Sequence, residues 1–286
     1  MQQEFPEYGA TDFRHPALEL SFENGSRLTD FIYKDHVILK GKPRLEGLPA
    51  TYVENEDECQ TLQVNLIDLV SGVEVSIQYS IFRDFPVITR SHLINNQGSR
   101  PLSIEGVTSL SLDLPDRNYE MIQLSGAWAR ERHIHSTLLH QGIQSIESTR
   151  GISSHLHNPF LALKRPETTE NQGEVIGLSL IYSGNFLLQA EVDTFDVTRL
   201  QVGINPFQFC WKLDPGASFT SPEAVLVYSR NGLNDMSQTF HRLYRTRLAR
   251  GEWRDKERPI LLNNWEATYF DFDQEKLLRI AQNAKE

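Results

Sequence analysis

Cysteine is scarce: Cys59 and Cys210 are the only two in 286 residues, too few for a disulfide framework. Cys59 follows an acidic turn at 54–58, and Cys210 falls in an aromatic run, 207–211, that reads as a strand. Both are expected to be unpaired thiols of a protein in a reducing compartment, the cytoplasm. Positive charge is also short. The 28 basic residues face 38 acidic ones, a net charge of −10, which disfavours a surface that tracks nucleic-acid phosphates. No apolar run approaches the roughly 18 residues that a membrane span needs. No secretory leader precedes Phe5, and Met1-Gln2-Gln3 reads as a truncated or artificial start. A Gly-rich phosphate loop, a nucleophile elbow and a dinucleotide fingerprint are all missing, which removes the common nucleotide and serine-hydrolase readings.

What is present is alternation. From residue 18 to about 228, apolar and polar residues exchange places at period 2, most cleanly over 73–81. Further strands are predicted at 18–22, 28–33, 61–65, 87–95, 102–114, 175–183, 186–192 and 223–228. Asn24-Gly25 between the first two predicts a hairpin. So many strands without an intervening helical period argue for a large antiparallel sandwich. The period then changes. Met236, Phe240, Leu243 and Leu248 recur near helical spacing over 231–250, with Arg242, Arg245, Arg247 and Arg250 off the stripe and Gly251 as the stop. After a polar connector, a short apolar strand is predicted at 260–262, then a helix at about 274–285 with Asp273 as N-cap. A strand, a polar and aromatic run and a helix make one β/α unit of a parallel barrel, in which functional groups gather at the strand ends. The expected fold is mainly β: a sandwich over 1–230, a linker helix and connector over 231–258, and the first β/α unit of a truncated (β/α)8 barrel over 259–286.

Trp265 is the leading candidate for ligand contact, because an indole at a strand end can stack on the apolar face of a sugar ring. Asn263 and Asn264 beside it can each donate to and accept from hydroxyls. Asp12-Phe13-Arg14 and the stretch 126–132, with Trp128 and Arg130, read as polar, aromatic loops. The histidines His133, His135, His140, His155 and His157 lack the spacing of a structural zinc site, although His155 and His157 would face the same way in extended backbone. Lys40-Gly-Lys-Pro-Arg44 reads as a solvated basic turn. Among 38 acidic residues a carboxylate pair proves nothing; Glu266 and Asp271 are five positions apart in a loop without fixed geometry.

"LLNNWEATYFDF" (261–272) is similar to the start of the catalytic barrel in glycoside hydrolase family 36, the bacterial α-galactosidases. "EFPEYGATDFRHPAL" (4–18), "KGKPRLEGLPATYVE" (40–54), "SGAWARERH" (125–133), "RGISSHLHNPFLAL" (150–163) and "VYSRNGLNDMSQTFHRLYRTRLARG" (227–251) resemble the same family, in its order. The resemblance implies a retaining hydrolase of terminal α-galactosyl groups in melibiose, raffinose or similar oligosaccharides. It implies that the sandwich over 1–230 lacks its first strands. It implies a homo-oligomer, a tetramer, with no cofactor and no metal. It places Trp265 in the galactose pocket, with Asn263, Asn264, Asp12, Phe13, Trp128 and Arg130 in support. No catalytic residue is carried over, because the family's nucleophile and acid/base, both aspartates, lie on later barrel strands, so the fragment alone is expected to be inactive. Two alternatives remain open: a related family activity (an α-N-acetylgalactosaminidase or galactosyltransferase), and a non-catalytic carbohydrate-binding or oligomerisation module.

Overall fold

Alternation becomes strand ladder across most of the chain. The computed structural model describes residues 2–9 and 12–285, so Met1 and Glu286, the two ends of the reading above, lie outside the described residues. The chain divides into two units, Met1–Leu248 and Ala249–Glu286.

In the first unit two antiparallel sheets form the sandwich. The ten-stranded sheet runs β2 (Phe31–Lys40), β3 (Cys59–Asp68), β4 (Val73–Phe82), β5 (Val87–Asn96), β16 (Glu223–Ser229), β11 (Val175–Ile181), β10 (His157–Lys164), β7 (Glu120–Ala127), β8 (Arg130–Leu138), with β15 (Ser218–Thr220) also on β5. The six-stranded sheet runs β1 (Leu18–Phe22), β6 (Leu102–Leu114), β13 (Thr198–Ile204), β12 (Phe186–Val192), β9 (Gly142–Glu147), with β14 (Trp211–Leu213) also on β6. Residues two apart share a face, so each strand turns one row inward. Leu161 and Leu178 of the larger sheet meet Leu188 and Leu200 of the smaller in one buried cluster. Ile77 and Ile94 meet Leu20 and Ile104 in another.

Helix α1 (Gly232–Arg247) covers the outer face of the larger sheet. The helical stripe Met236, Phe240 and Leu243 buries against Ala162, Val225 and Val227, at about 1.5–3 kcal/mol for each large apolar side chain removed from water. This is why β11 is buried along its whole length and why Gly177 lies on it. A Cβ there would come within 2.7 Å of Phe240 Cε2 and 2.8 Å of Met236 Sδ. The helix stops at Arg247, short of Gly251; Tyr52 N–H donates to the Arg247 carbonyl (2.8 Å), and Arg247 Nε donates to Glu58 (2.7 Å).

In the second unit, α2 (Trp265–Thr268) is a single turn and α3 (Gln274–Lys285) is the expected final helix. Asp273 Oδ1 accepts from Lys276 N–H (2.8 Å), the bond of an N-cap. Among the described residues no helix is long and apolar enough to cross a membrane.

Several expectations fail, each for a physical reason. The Asn24-Gly25 turn forms, with Gly25 N–H donating to the Phe22 carbonyl (2.8 Å), but it is no hairpin. β1 pairs with β6 and β2 with β3, because the chain leaves the turn for the other sheet. Residues 207–210 are a turn held by Phe209 N–H on the Pro206 carbonyl (3.1 Å); the strand begins at Trp211, so Cys210 is exposed while Cys59 is buried at the start of β3. Lys42 is not solvated: its side chain is 2% exposed and pairs with buried Glu223, which also accepts from Thr51 N–H (2.8 Å) and Oγ1 (2.7 Å). A carboxylate so enclosed requires a counter-charge. Residues 260–262 form no strand; Ile260 is 97% exposed, and a barrel strand exists only where neighbours supply ladder bonds.

Candidate functional site

In the second unit, Asn263, Asn264 and Trp265 sit at the one-turn helix α2 rather than at a strand end. Asn263 Oδ1 accepts from Trp265 N–H (2.9 Å), and Asn264 Nδ2 donates to Thr268 Oγ1 (2.8 Å). Both amides therefore shape the turn, and each retains a second polar atom that these bonds do not use. The Trp265 ring is edge-on to Tyr269 (5.5 Å) and Phe270 (4.9 Å), a geometry that aromatic quadrupoles favour, and is 45% exposed. An indole fixed by two rings with nearly half its surface open suits stacking on a sugar. Glu266 accepts from the Tyr269 hydroxyl (3.3 Å) while Asp271 pairs with Lys276 (2.7 Å), so the two acids have separate local partners.

In the first unit, strand register builds a polar row. Asp113 of β6 lies opposite Arg199 of β13, and Arg199 lies opposite Glu191 of β12. The segment 12–16 crosses this row. Arg199, fully buried, donates through Nε and Nη2 to Asp113 (2.8 and 2.9 Å), through Nη2 to Asp12 (2.8 Å) and through Nη1 to the His15 carbonyl (3.3 Å). Arg14 adds bonds to Asp12 (Nε 3.0 Å, Nη2 2.8 Å) and Asp113 (3.2 Å). Gln201 donates to the His15 and Pro16 carbonyls (3.0 and 2.9 Å). Burial alone would push the Asp12 carboxyl up, but hydrogen bonds from Arg14 and the nearby Arg199 hold it well below the usual carboxylate range. The His15 ring is raised, chiefly by its bond to Glu191 (3.2 Å) and against partial burial.

With its flanks held, Phe13 stands 72% exposed, edge-on to Tyr8 at 5.9 Å. It borders two open clefts. One, of about 470 Å³, is lined by Tyr8, Phe13, His15, Arg27 and Leu28. The other, of about 390 Å³, is lined by Phe13, Gln141, Asp193 and Phe195. Of the expected site residues here, Asp12 is therefore committed inside the protein and Phe13 is offered outside.

The 126–132 stretch is a hairpin rather than a loop. Ala127 pairs with Arg130, and Trp128-Ala129 form its two-residue tip, with Ala129 at φ 63°. A Cβ on Gly126 would come within 2.4 Å of the Arg130 carbonyl oxygen, so the close return of β8 needs glycine. Trp128 is 83% exposed, and neither it nor Arg130 lines the two clefts beside Phe13. The histidines do not gather as ligands. His157 opens β10 and bonds Ser125 Oγ (2.8 Å), whereas His155 precedes the strand. Among the described residues no group of three His, Cys, Asp or Glu is placed to hold a metal ion. The residues that sequence reasoning missed are Arg199, Asp113, Glu191 and Gln201. Their signal was polar side chains at alternate positions inside apolar strands, such as Arg199 and Gln201 in Thr198–Ile204.

Residues 1–214 match the glycosyl hydrolase family 36 N-terminal domain, and 218–286 match melibiase. The chain belongs to glycosyl hydrolase family 36. Alpha-galactosidase AgaA of Geobacillus stearothermophilus is 56% identical over 284 residues, 99% of this chain and 39% of that protein. Alpha-galactosidase 1 of Pediococcus pentosaceus is 45% identical over 286 residues, 100% of this chain and 39% of that protein. The AgaA crystal structure superposes with a TM-score of 0.96 over 99% of this chain and 39% of its own; so does a variant of AgaA crystallised in complex with raffinose. The chain thus spans 39% of the length of these family 36 relatives. The match covers both the sandwich with its Arg199 network and the Asn263–Asn264–Trp265 turn of the second unit.

Proposed function

We propose that this chain is the sandwich and the start of the catalytic barrel of an α-galactosidase that removes terminal α-D-galactosyl groups from oligosaccharides such as melibiose and raffinose. The observation that carries this reading is the 56% identity to AgaA across 99% of the chain, including the segment that holds Trp265. We further propose retention of anomeric configuration, with two carboxyls about 5–5.5 Å apart on residues after Glu286. Trp265 stacks on the sugar face, and the spare polar atoms of Asn263 and Asn264 meet its hydroxyls. Phe13 offers an aromatic surface to the incoming oligosaccharide, as Trp128 and Arg130 do from the hairpin. Asp12 serves by holding Phe13 in place, since its carboxylate is occupied by Arg14 and Arg199. The division into 1–230, 231–258 and 259–286, a homotetramer and a cytoplasmic location complete the proposal.

The test is galactose release from melibiose and raffinose by the full-length protein that contains this chain. NMR of the first-formed sugar should show the α anomer. Trp265→Ala should lower kcat/KM by roughly 10- to 100-fold, about 1.4–2.7 kcal/mol, with little change in Tm. Sugar binding without turnover in that protein would favour the binding-module reading and sink the hydrolase one.

A further inference from the structure

The two apolar clusters inside the sandwich part company along β6. Leu102, Ile104 and Val107 belong to one, Leu110 and Leu114 to the other, and Ser109 falls between them. On β5, the alternate residues Arg90 and His92 precede Ile94 of the first cluster. The sheets are tied at this point by Arg90 Nη1, which donates to the Ser111 carbonyl at 2.7 Å. The His92 ring lies near the Thr108 backbone carbonyl and edge-on to Phe5 at 5.4 Å.

Arg90, His92 and Ser109 are all buried, at 3%, 1% and 0% exposure. Arg90 Nε, both ring nitrogens of His92 and the hydroxyl of Ser109 have no hydrogen-bond partner among protein atoms; Ser111, opposite Gln201, reaches this side only through its backbone carbonyl. A buried polar atom left unpaired is costly, and more than nine in ten such groups in folded proteins find a partner. Four on two strands that face each other across the sandwich are not scattered exceptions.

We propose that this seam between β5 and β6 is an enclosed hydration site, where ordered water bridges the ring of His92 to Ser109 and to the neighbouring Arg90. The charge balance identifies the ligand. Arg90 is already neutralised by Glu4, through Oε1 at 2.8 Å and the carbonyl at 2.9 Å, so the seam asks for no further anion. Burial, with Arg90 beside it, holds His92 neutral, and a neutral imidazole presents one donor and one acceptor. Water complements both, as well as a hydroxyl that can turn either way. Phe5, packed edge-on against His92 and against Phe31 (5.6 Å), closes the seam from the N-terminal side.

The test is a crystal structure of the full-length protein at neutral pH and about 1.5 Å or better, together with Ser109→Ala and His92→Leu. Expected is density about 2.7–3.2 Å from a His92 ring nitrogen and from Ser109 Oγ, which weakens in Ser109→Ala and vanishes in His92→Leu. Magnetic relaxation dispersion should show at least one fewer long-lived internal water in whichever variant folds. Side chains that pair directly with one another and no density between them, or an internal-water count unchanged in both variants, would overturn the site.

Discussion

The two units treat their apolar residues in opposite ways. In Met1–Leu248, Leu161, Leu178, Leu188 and Leu200 are at most 1% exposed, held between two sheets, and even guanidinium groups are enclosed. In Ala249–Glu286 no described residue is buried, and Leu261, Phe270 and Leu278 are 88%, 88% and 54% exposed. Yet α3 forms where local signals place it, while residues 260–262 do not form a strand. A helix satisfies its backbone within itself and needs only a cap and a tolerant sequence; a strand needs a second strand.

The contrast can be broken most sharply at Arg199. Its replacement by Met should leave Asp12 and Asp113 buried with Arg14 as their one remaining shared cation, at a cost of about 3–5 kcal/mol in urea unfolding. The exposed pair Lys276–Asp271 should lose under about 1 kcal/mol on Asp271→Asn. Equal losses at the two sites would erase the distinction between the units. Next come leucines. Leu243→Ala, on the buried face of α1 and itself fully buried, should cost about 2–5 kcal/mol, whereas Leu278→Ala on α3 should stay within about 0.5 kcal/mol. A large loss at Leu278 in the full-length protein would mean that this face is covered there.

A smaller effect is expected at the cap. Asp273→Ala should lower α3 stability by about 1 kcal/mol, read by amide exchange of residues 276–280. The smallest involves protons. The bond to Glu191 raises the His15 pKa, so its contribution is complete below the unfolded value near 6.5 and is lost as pH rises through the folded one. For Glu191, burial alone would push the carboxyl up, but bonds from His15 hold it below its ordinary value. Its share is present above about 4.5 and is lost as pH falls through the folded pKa. His15→Gln should therefore cost most between about pH 4.5 and 6.5, under about 1 kcal/mol because the ring is half exposed, and nothing above pH 9. A constant difference across that range would remove the charge from the account.

The strands that could be read in advance were those with one wet and one dry face, such as Val73–Phe82 and Leu102–Leu114. β8 was illegible because all nine of its residues are exposed on a sheet edge, so no apolar alternation marks it. β13 was missed for the opposite reason, since Arg199 and Gln201 are buried by the segment 12–16 and break the apolar pattern. The site divides likewise. Trp265 and Phe13 stand out as aromatics in polar runs, but that Asp12 faces inward is visible only once Arg199, 187 residues away, lies against it.

Local chemistry along the chain thus settles where strands of alternating burial fall, where α1 and α3 lie and that Asp273 caps the latter, because each depends on neighbours a few residues away. Which strands pair, that the Asn24-Gly25 turn sends the chain into the other sheet, that Lys42 is buried on Glu223 and that Asp113, Arg199 and Glu191 form one row are decided only by the tertiary fold. Those outcomes rest on register and on charge compensation between residues far apart in sequence, which no local window contains.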